Sequence, residues 1–125
     1  MLSYEILVEG EFAAAHQLRL YDGRNEPLHG HNWKVEVYLA GPRLDSIGVL
    51  ADFTVVRRRL NETLQQLHDR FLNDLPEFRD RNPSAEIVAS HIYEAMSAGL
   101  PAGVRVSRVR VWEAPGCAAA VIGEC

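Results

Sequence analysis

The stretch NEPLHGHNWKVEVYLAG, residues 25–41, decides the reading of this chain. From Trp33 onward, Trp33, Val35, Val37 and Leu39 share one parity while Lys34, Glu36 and Tyr38 occupy the other, the period of a half-buried strand. Extending that period backward puts His29 and His31 on the apolar face, with Cα atoms roughly 6.5 Å apart at the usual rise per residue. Two imidazoles on one face can share a metal ion if a third ligand arrives from a neighbouring strand. His16 is the natural candidate. It ends a run in which Tyr4, Ile6, Val8, Phe12 and Ala14 share its parity, in a segment predicted as a strand over residues 4–18 with a bulge or break near Gly10. Three neutral imidazoles leave a fourth coordination position open, the arrangement of a catalytic rather than a structural zinc. An HxH pair also arises without any metal, and no Asp-His follows this one as it would in a metallo-hydrolase of the HxHxDH kind.

Outward from the hairpin, residues 21–27 are polar and read as a loop, and Gly41-Pro42 closes the second strand. Residues 54–72 space Val56, Leu60, Leu64, Leu67 and Phe71 for one amphipathic helix. Asn82-Pro83-Ser84, with Glu86 after it, marks the start of a second helix that runs to about Ala98. VRVSRVRVW, residues 104–112, alternates as a third strand, and residues 118–122 read as a fourth. Two strands, two helices and two strands make an α+β domain with hairpins, and 125 residues suffice for one domain, residues 1–125. Two helices on one face of a four-stranded sheet leave the other face in need of cover, and the histidine face is a candidate for burial between subunits. A net charge of −4 and the lack of a basic tract give no reason to expect nucleic acid. No apolar run approaches bilayer length and the N-terminal residues are acidic, so the expectation is a cytoplasmic protein without a membrane partner. Cys117 and Cys125 form neither a CxxC pair nor a disulfide framework and read as unpaired small residues.

FAAAHQL, then LHGHNWKVEV, VLADF, LNDLPEF, NPSAEIVASHIYE and finally VWEAPGC resemble, in order and spacing, the family of 6-pyruvoyl- and 6-carboxytetrahydropterin synthases. The resemblance covers nearly the whole chain, and its specific part is the H…HGH pattern with the late strand glutamate. It implies a tunnel fold: a four-stranded antiparallel sheet with two helices on one face, three subunits closing a barrel, and two trimers stacked as a homohexamer with active sites between subunits. It also implies zinc held by His16, His29 and His31. Glu113 would otherwise pass for a solvated carboxylate at a strand end. The family's pterin anchor falls on it, where a carboxylate can accept two hydrogen bonds from the pterin edge.

Two departures shape the functional expectation. Most members of the family place a catalytic cysteine four residues ahead of HGH, where this chain has Asn25, which offers no thiolate and no base near neutral pH. Glu26 follows it. Alone, Glu26 would be read as an ordinary loop carboxylate, but at this offset it resembles the variant group sometimes called type III, in which glutamate takes the working position. That group's reaction is cleavage of 7,8-dihydroneopterin triphosphate to 6-hydroxymethyl-7,8-dihydropterin, a folate precursor. The second departure is Leu67-His68-Asp69, where the family commonly has Leu-Asp-His with aspartate and histidine assisting proton transfer. On a helix, adjacent side chains diverge by about 100°, so the reversal either shifts the backbone by one residue or loses the relay. The leading function is thus a zinc-dependent pterin lyase with Glu26, His68 and Asp69 as catalytic residues. The alternatives are a 6-carboxytetrahydropterin synthase of queuosine biosynthesis, a pyruvoyl-forming synthase, or a pterin- or purine-binding protein with little catalysis. Arg19, Arg24 and Lys34 are the candidates for triphosphate contacts, and His91 reads as a helix-surface or packing residue.

Overall fold

A computed structural model describes residues 2–124. The expected hairpin forms its centre. β1 (Tyr4–His16) and β2 (His29–Gly41) pair antiparallel in a single register, from Tyr4 opposite Gly41 to His16 opposite His29. β1 is unbroken at Gly10, contrary to the expected interruption. The glycine serves the helix above it: a Cβ there would lie 2.7 Å from Leu64 Cδ1 and 3.4 Å from Leu60 Cδ2. Register irregularities fall elsewhere, at Tyr38/Leu39 against β4 (Arg105–Ala114) and at Trp112/Ala114 against β5 (Cys117–Ile122).

α1 (Phe53–Gln65) begins at Asp52, whose carboxylate accepts the Thr54 N–H at 2.8 Å, and it buries Val56, Leu60 and Leu64. It ends seven residues before the expected boundary at 72. Leu67 keeps helical spacing in sequence and is buried, but it is reached from a turn. Asp69 then adopts φ 58°, its N–H donates to the Ala13 carbonyl at 2.7 Å, and the chain joins the sheet. This creates β3 (Arg70–Phe71), parallel to β1 at Ala14 and Ala15. The sheet is therefore five-stranded and mixed, in the order β3-β1-β2-β4-β5, where a four-stranded antiparallel sheet was expected. α2 (Ala85–Ser97) starts where Asn82-Pro83-Ser84 predicts, with the Ser84 hydroxyl accepting the Ile87 N–H at 3.2 Å.

Both helices pack on one sheet face. α1 lies over β1, and α2 over β4 and β5. The core between them includes Phe12, Trp33, Val37, Leu60, Ile92 and Val109. Each large side chain buried there contributes about 1.5–3 kcal/mol by removal from water. The helix-free face is polar: Glu9 lies opposite Glu36, Glu36 opposite Arg110, and Tyr38 opposite Arg108. Glu36 is buried there and accepts hydrogen bonds from Tyr38 Oη at 2.7 Å and Trp112 Nε1 at 2.5 Å. Burial pushes its carboxyl pKa up, but those two bonds together with the nearby Arg110 and Lys34 charges outweigh it and leave the group below the usual carboxylate range. The histidines lie on the other, helix-covered face, with His16 edge-on to the core residue Trp33 at 4.8 Å. The face expected to need cover and the face bearing the histidines are therefore different ones. Among the described residues no helix is long and apolar enough to cross a membrane.

Candidate metal centre

The site follows from the hairpin register. His16 sits opposite His29, and His31 sits opposite Ala14, so period two sets three imidazoles at the end of the helix-covered face. Ring centroids are 4.6 Å apart for His16–His29 and His29–His31, and 5.2 Å for His16–His31. Glu113, at the end of β4, brings a carboxylate to the same point. One ligand atom from each of His16, His29, His31 and Glu113 lies within 4.8 Å of all the others.

Hydrogen bonding assigns the ring nitrogens. His16 is buried, with Nδ1 2.7 Å from the Pro83 carbonyl. A carbonyl only accepts, so Nδ1 carries the proton and Nε2 of the neutral ring presents a lone pair. That Nε2 has no hydrogen-bond partner, and Glu113 Oε1 stands 2.7 Å away. With the other imidazoles and this carboxylate converging on the same point, the donor set fits zinc. His31 Nε2 lies 3.3 Å from Glu113 Oε1, and burial lowers the His31 pKa despite that carboxylate, favouring the neutral form a metal requires. His29 Nε2 is 3.0 Å from Glu26 Oε1, which as a carboxylate accepts, so His29 Nδ1 is left as the lone pair, 2.5 Å from His31 Nε2. A carboxylate that fixes the tautomer of a ligating imidazole is a recurrent feature of metal sites.

Glu26 reaches the histidines from the loop between β1 and β2. Its Oε1 accepts both the His29 contact and the Leu18 N–H at 2.9 Å, while its own N–H donates to the Leu18 carbonyl at 2.9 Å. The His29 hydrogen bond is the main reason its pKa falls below the ordinary carboxyl value. Oε2 has no hydrogen-bond partner among the described residues. Asn25 is exposed, and its backbone bridges to Arg19.

His68 and Asp69 come together in spite of their order, because neither is in the helix. His68 Nδ1 accepts the Ala13 N–H at 3.0 Å, and His68 Nε2 is 3.3 Å from Asp69 Oδ2. The left-handed backbone at Asp69 replaces the helical divergence that the sequence reading assumed. Asp69 and His31 line one open cavity of about 580 Å³ that also involves Ala15, Gly30, Arg70 and Phe71. The triphosphate candidates are engaged elsewhere: Arg19 donates to the Phe78 carbonyl, Arg24 pairs with Asp22, and Lys34 pairs with Glu9. His91 packs edge-on against Phe78. Cys117 is exposed and free, and Cys125 lies outside the described residues. Sequence reasoning missed the Pro83 carbonyl and the Leu18 amide, since a main-chain group leaves no mark on residue identity. It missed the tandem amide contacts of Asn73 and Asn82 on residues 17 and 19 for a related reason: both are long-range.

Comparison with known proteins adds three findings. The description of the 6-pyruvoyl tetrahydropterin synthase family matches residues 5–124. A Pyrococcus furiosus dihydroneopterin monophosphate aldolase is 30% identical over 86% of this chain and 88% of its own, and a Synechocystis 6-carboxy-5,6,7,8-tetrahydropterin synthase is 33% identical over 77% and 78%. The solved 6-pyruvoyl tetrahydropterin synthase of Caenorhabditis elegans superimposes with a TM-score of 0.85 over 99% of this chain and 98% of its own at 21% identity, which establishes the α+β fold. The chain belongs to the 6-pyruvoyl tetrahydropterin synthase family, a family of lyases acting on pterins.

Proposed function

We propose that this protein is a zinc-dependent pterin lyase that cleaves 7,8-dihydroneopterin triphosphate to 6-hydroxymethyl-7,8-dihydropterin by a retro-aldol reaction. The observation that carries the proposal is Glu26: one carboxylate oxygen is held against Leu18 and His29, the other is unengaged, and the residue before it is an amide where a thiol would be needed for synthase chemistry. The aldolase activity named for the Pyrococcus furiosus relative supports the same reaction class, with a monophosphate in place of the triphosphate.

His16 and His31 through Nε2, and His29 through Nδ1, are the proposed zinc ligands. Zinc, when bound, supplies a Lewis acid that acidifies a side-chain hydroxyl of the substrate. Glu26 Oε2 takes the proton of the C2′ hydroxyl as the C1′–C2′ bond breaks. The bonding pair passes into the ring imine between C6 and N5, and C2′ leaves as the phosphorylated two-carbon aldehyde. A proton then returns to C1′, giving the hydroxymethyl product, so atoms and electrons balance. The His68–Asp69 pair is the proposed relay for that proton. Glu113 anchors the pterin edge: its Oε1 faces His16 and His31, while Oε2 has no hydrogen-bond partner among the described residues. Trimers pairing into a hexamer would build each site between subunits. The open cavity beside His31 and the outer position of β3 and β5 in the sheet support this arrangement.

A second reading, 6-carboxytetrahydropterin synthase, is favoured by the Synechocystis relative. Incubating zinc-loaded protein with 7,8-dihydroneopterin triphosphate and weighing the products by mass separates the two. Release of a phosphorylated two-carbon aldehyde supports cleavage, release of inorganic triphosphate supports a synthase, and tight binding without product supports a pterin-binding protein. A stable monomer by light scattering at micromolar concentration would refute sites built between subunits.

A further inference from the structure

Beyond His16, residues 17–19 leave the β1–β2 ladder, and their main-chain groups bond to alternate partners. On one side two asparagine side chains take the place of a neighbouring strand. Asn73 accepts the Gln17 N–H at 3.0 Å and donates to the Gln17 carbonyl at 2.7 Å. Asn82 accepts the Arg19 N–H at 2.8 Å and donates to the Arg19 carbonyl at 3.0 Å. Each amide engages both main-chain groups of a single residue, as the hydrogen-bonded pair of an antiparallel ladder does. On the opposite side, both main-chain groups of the intervening Leu18 go to Glu26: its N–H to the carboxylate and its carbonyl to the Glu26 N–H. The side-chain amide of Gln17 adds a bond to the Glu26 carbonyl at 3.1 Å.

The two clamps come from parts of the chain that are already fixed. Asn73 sits in the 3₁₀ turn Leu72–Asp74 directly after β3, beside the buried Leu72. Asn82 precedes Pro83, whose carbonyl orients His16, and Ser84, which caps α2. One short strut thus touches the histidine cluster twice, through the His16 ring and through the loop segment 17–19 that holds Glu26.

We propose that Asn73 and Asn82 are positioning residues for the reaction: clamping residues 17–19 from behind, they fix Leu18 and through it the Glu26 carboxylate beside His29. The proposal rests on the reading of Glu26 as the acid/base. Removing either amide frees the peptide groups of residue 17 or 19 and lets Leu18 drift. Glu26 then keeps its contact to His29 and loses its second anchor. A displacement of about 1 Å is enough to slow a positioned group by up to roughly a hundredfold.

The test uses Asn73→Ala, Asn82→Ala and the near-isosteric Asn82→Asp, which still accepts the Arg19 N–H but cannot donate to its carbonyl. The Asp variant and Asn73→Ala carry the test if Asn82→Ala does not fold. Each is made in the wild-type chain and on top of Glu26→Gln. Measured are zinc content, kcat and KM with 7,8-dihydroneopterin triphosphate, and peptide-resolved hydrogen exchange over residues 17–19. The expected result is zinc at the wild-type level, KM within about twofold, exchange at least about tenfold faster, and kcat down about tenfold. Asn82→Asp should recover part of the kcat loss. On Glu26→Gln, which is slow by itself, the asparagine changes should lower kcat no further. Unchanged exchange, unchanged kcat, or an equal kcat loss in both backgrounds would overturn the positioning role while leaving Glu26 in place. Full kcat in Glu26→Gln alone, with both asparagines intact, would instead sink the acid/base assignment and the positioning role with it.

Discussion

Replacing Glu26 by Gln isolates the proposed proton acceptor from everything else that side chain does. In the folded protein Oε1 accepts two hydrogen bonds, from Leu18 N–H at 2.9 Å and His29 Nε2 at 3.0 Å. An amide oxygen can occupy the same point, so both contacts survive as weaker, neutral ones. A hydrogen bond to a charged group contributes about 1.5–3 kcal/mol and a neutral one about 1 kcal/mol. With the side chain a quarter exposed, the folded state should lose only about 1–2 kcal/mol in total. The reaction loses more. A positioned acid/base is typically worth about 10²–10⁴ in rate, which at about 1.36 kcal/mol per decade is roughly 2.7–5.4 kcal/mol of barrier. The assay is steady-state cleavage of 7,8-dihydroneopterin triphosphate by zinc-loaded protein, with product followed by chromatography and zinc by elemental analysis. The expected outcome is wild-type zinc, near wild-type pterin binding and kcat lower by roughly a hundredfold or more. Undiminished kcat at full zinc loading would refute the reasoning, and loss of zinc in step with activity would reduce Glu26 to an orienter of His29.

Four further outcomes are expected. His29→Ala should remove most of the bound zinc from a wild type that holds one ion per chain, as read by elemental analysis, and retention of a full equivalent would exclude His29 as a ligand. Glu113→Gln should weaken pterin binding by roughly tenfold or more in a calorimetric titration, since it replaces an acceptor facing the ligand's donors; lost zinc with pterin affinity intact would make Glu113 a metal ligand instead. Gly10→Ala should cost about 1–3 kcal/mol in urea unfolding, because the new Cβ would sit 2.7 Å from Leu64 Cδ1, and an unchanged midpoint would show that α1 yields freely. Glu36 has a lowered pKa, so its share of stability is present above the unfolded carboxyl value near 4.3 and is lost as pH falls through the folded value. Glu36→Gln should therefore be about 1–3 kcal/mol less stable than wild type at pH 7, with the gap closing below about pH 4, and a gap independent of pH would count against the buried carboxylate.

The parts of the molecule legible in the sequence are those governed by local periodicity. Period two placed His29 and His31 together and brought His16 to them across the hairpin, and Pro83-Ser84 announced α2. The end of α1 was hidden because Leu67 is buried as helical spacing demands, although it is reached by a turn. β3 was hidden because two residues are too few for an alternating pattern. The reversed His68–Asp69 pair was read on a helix, whereas a turn ending in one left-handed residue carries it, with the two side chains 3.3 Å apart. Gly10 read as a bulge, and only the position of Leu64, far away in the chain, shows that it marks a close approach of α1 instead. The turn of Glu113 Oε1 towards His16 joins residues far apart in the chain, and no spacing rule reaches that distance.

His16 and His29 face each other as the last pair of the β1–β2 ladder, so the strands set the imidazoles at the point where the loop between them begins. Loop length is thereby decoupled from ligand geometry. The stretch 20–25, between the clamped residues 17–19 and Glu26, could be exchanged as a cassette without moving an imidazole, whereas a single inserted residue within either strand would turn every histidine beyond it to the wrong face. Within this hairpin the three imidazoles belong to the strands and Glu26 to the loop, so a rewritten loop would change the carboxylate beside the histidines and leave their placement as it stands.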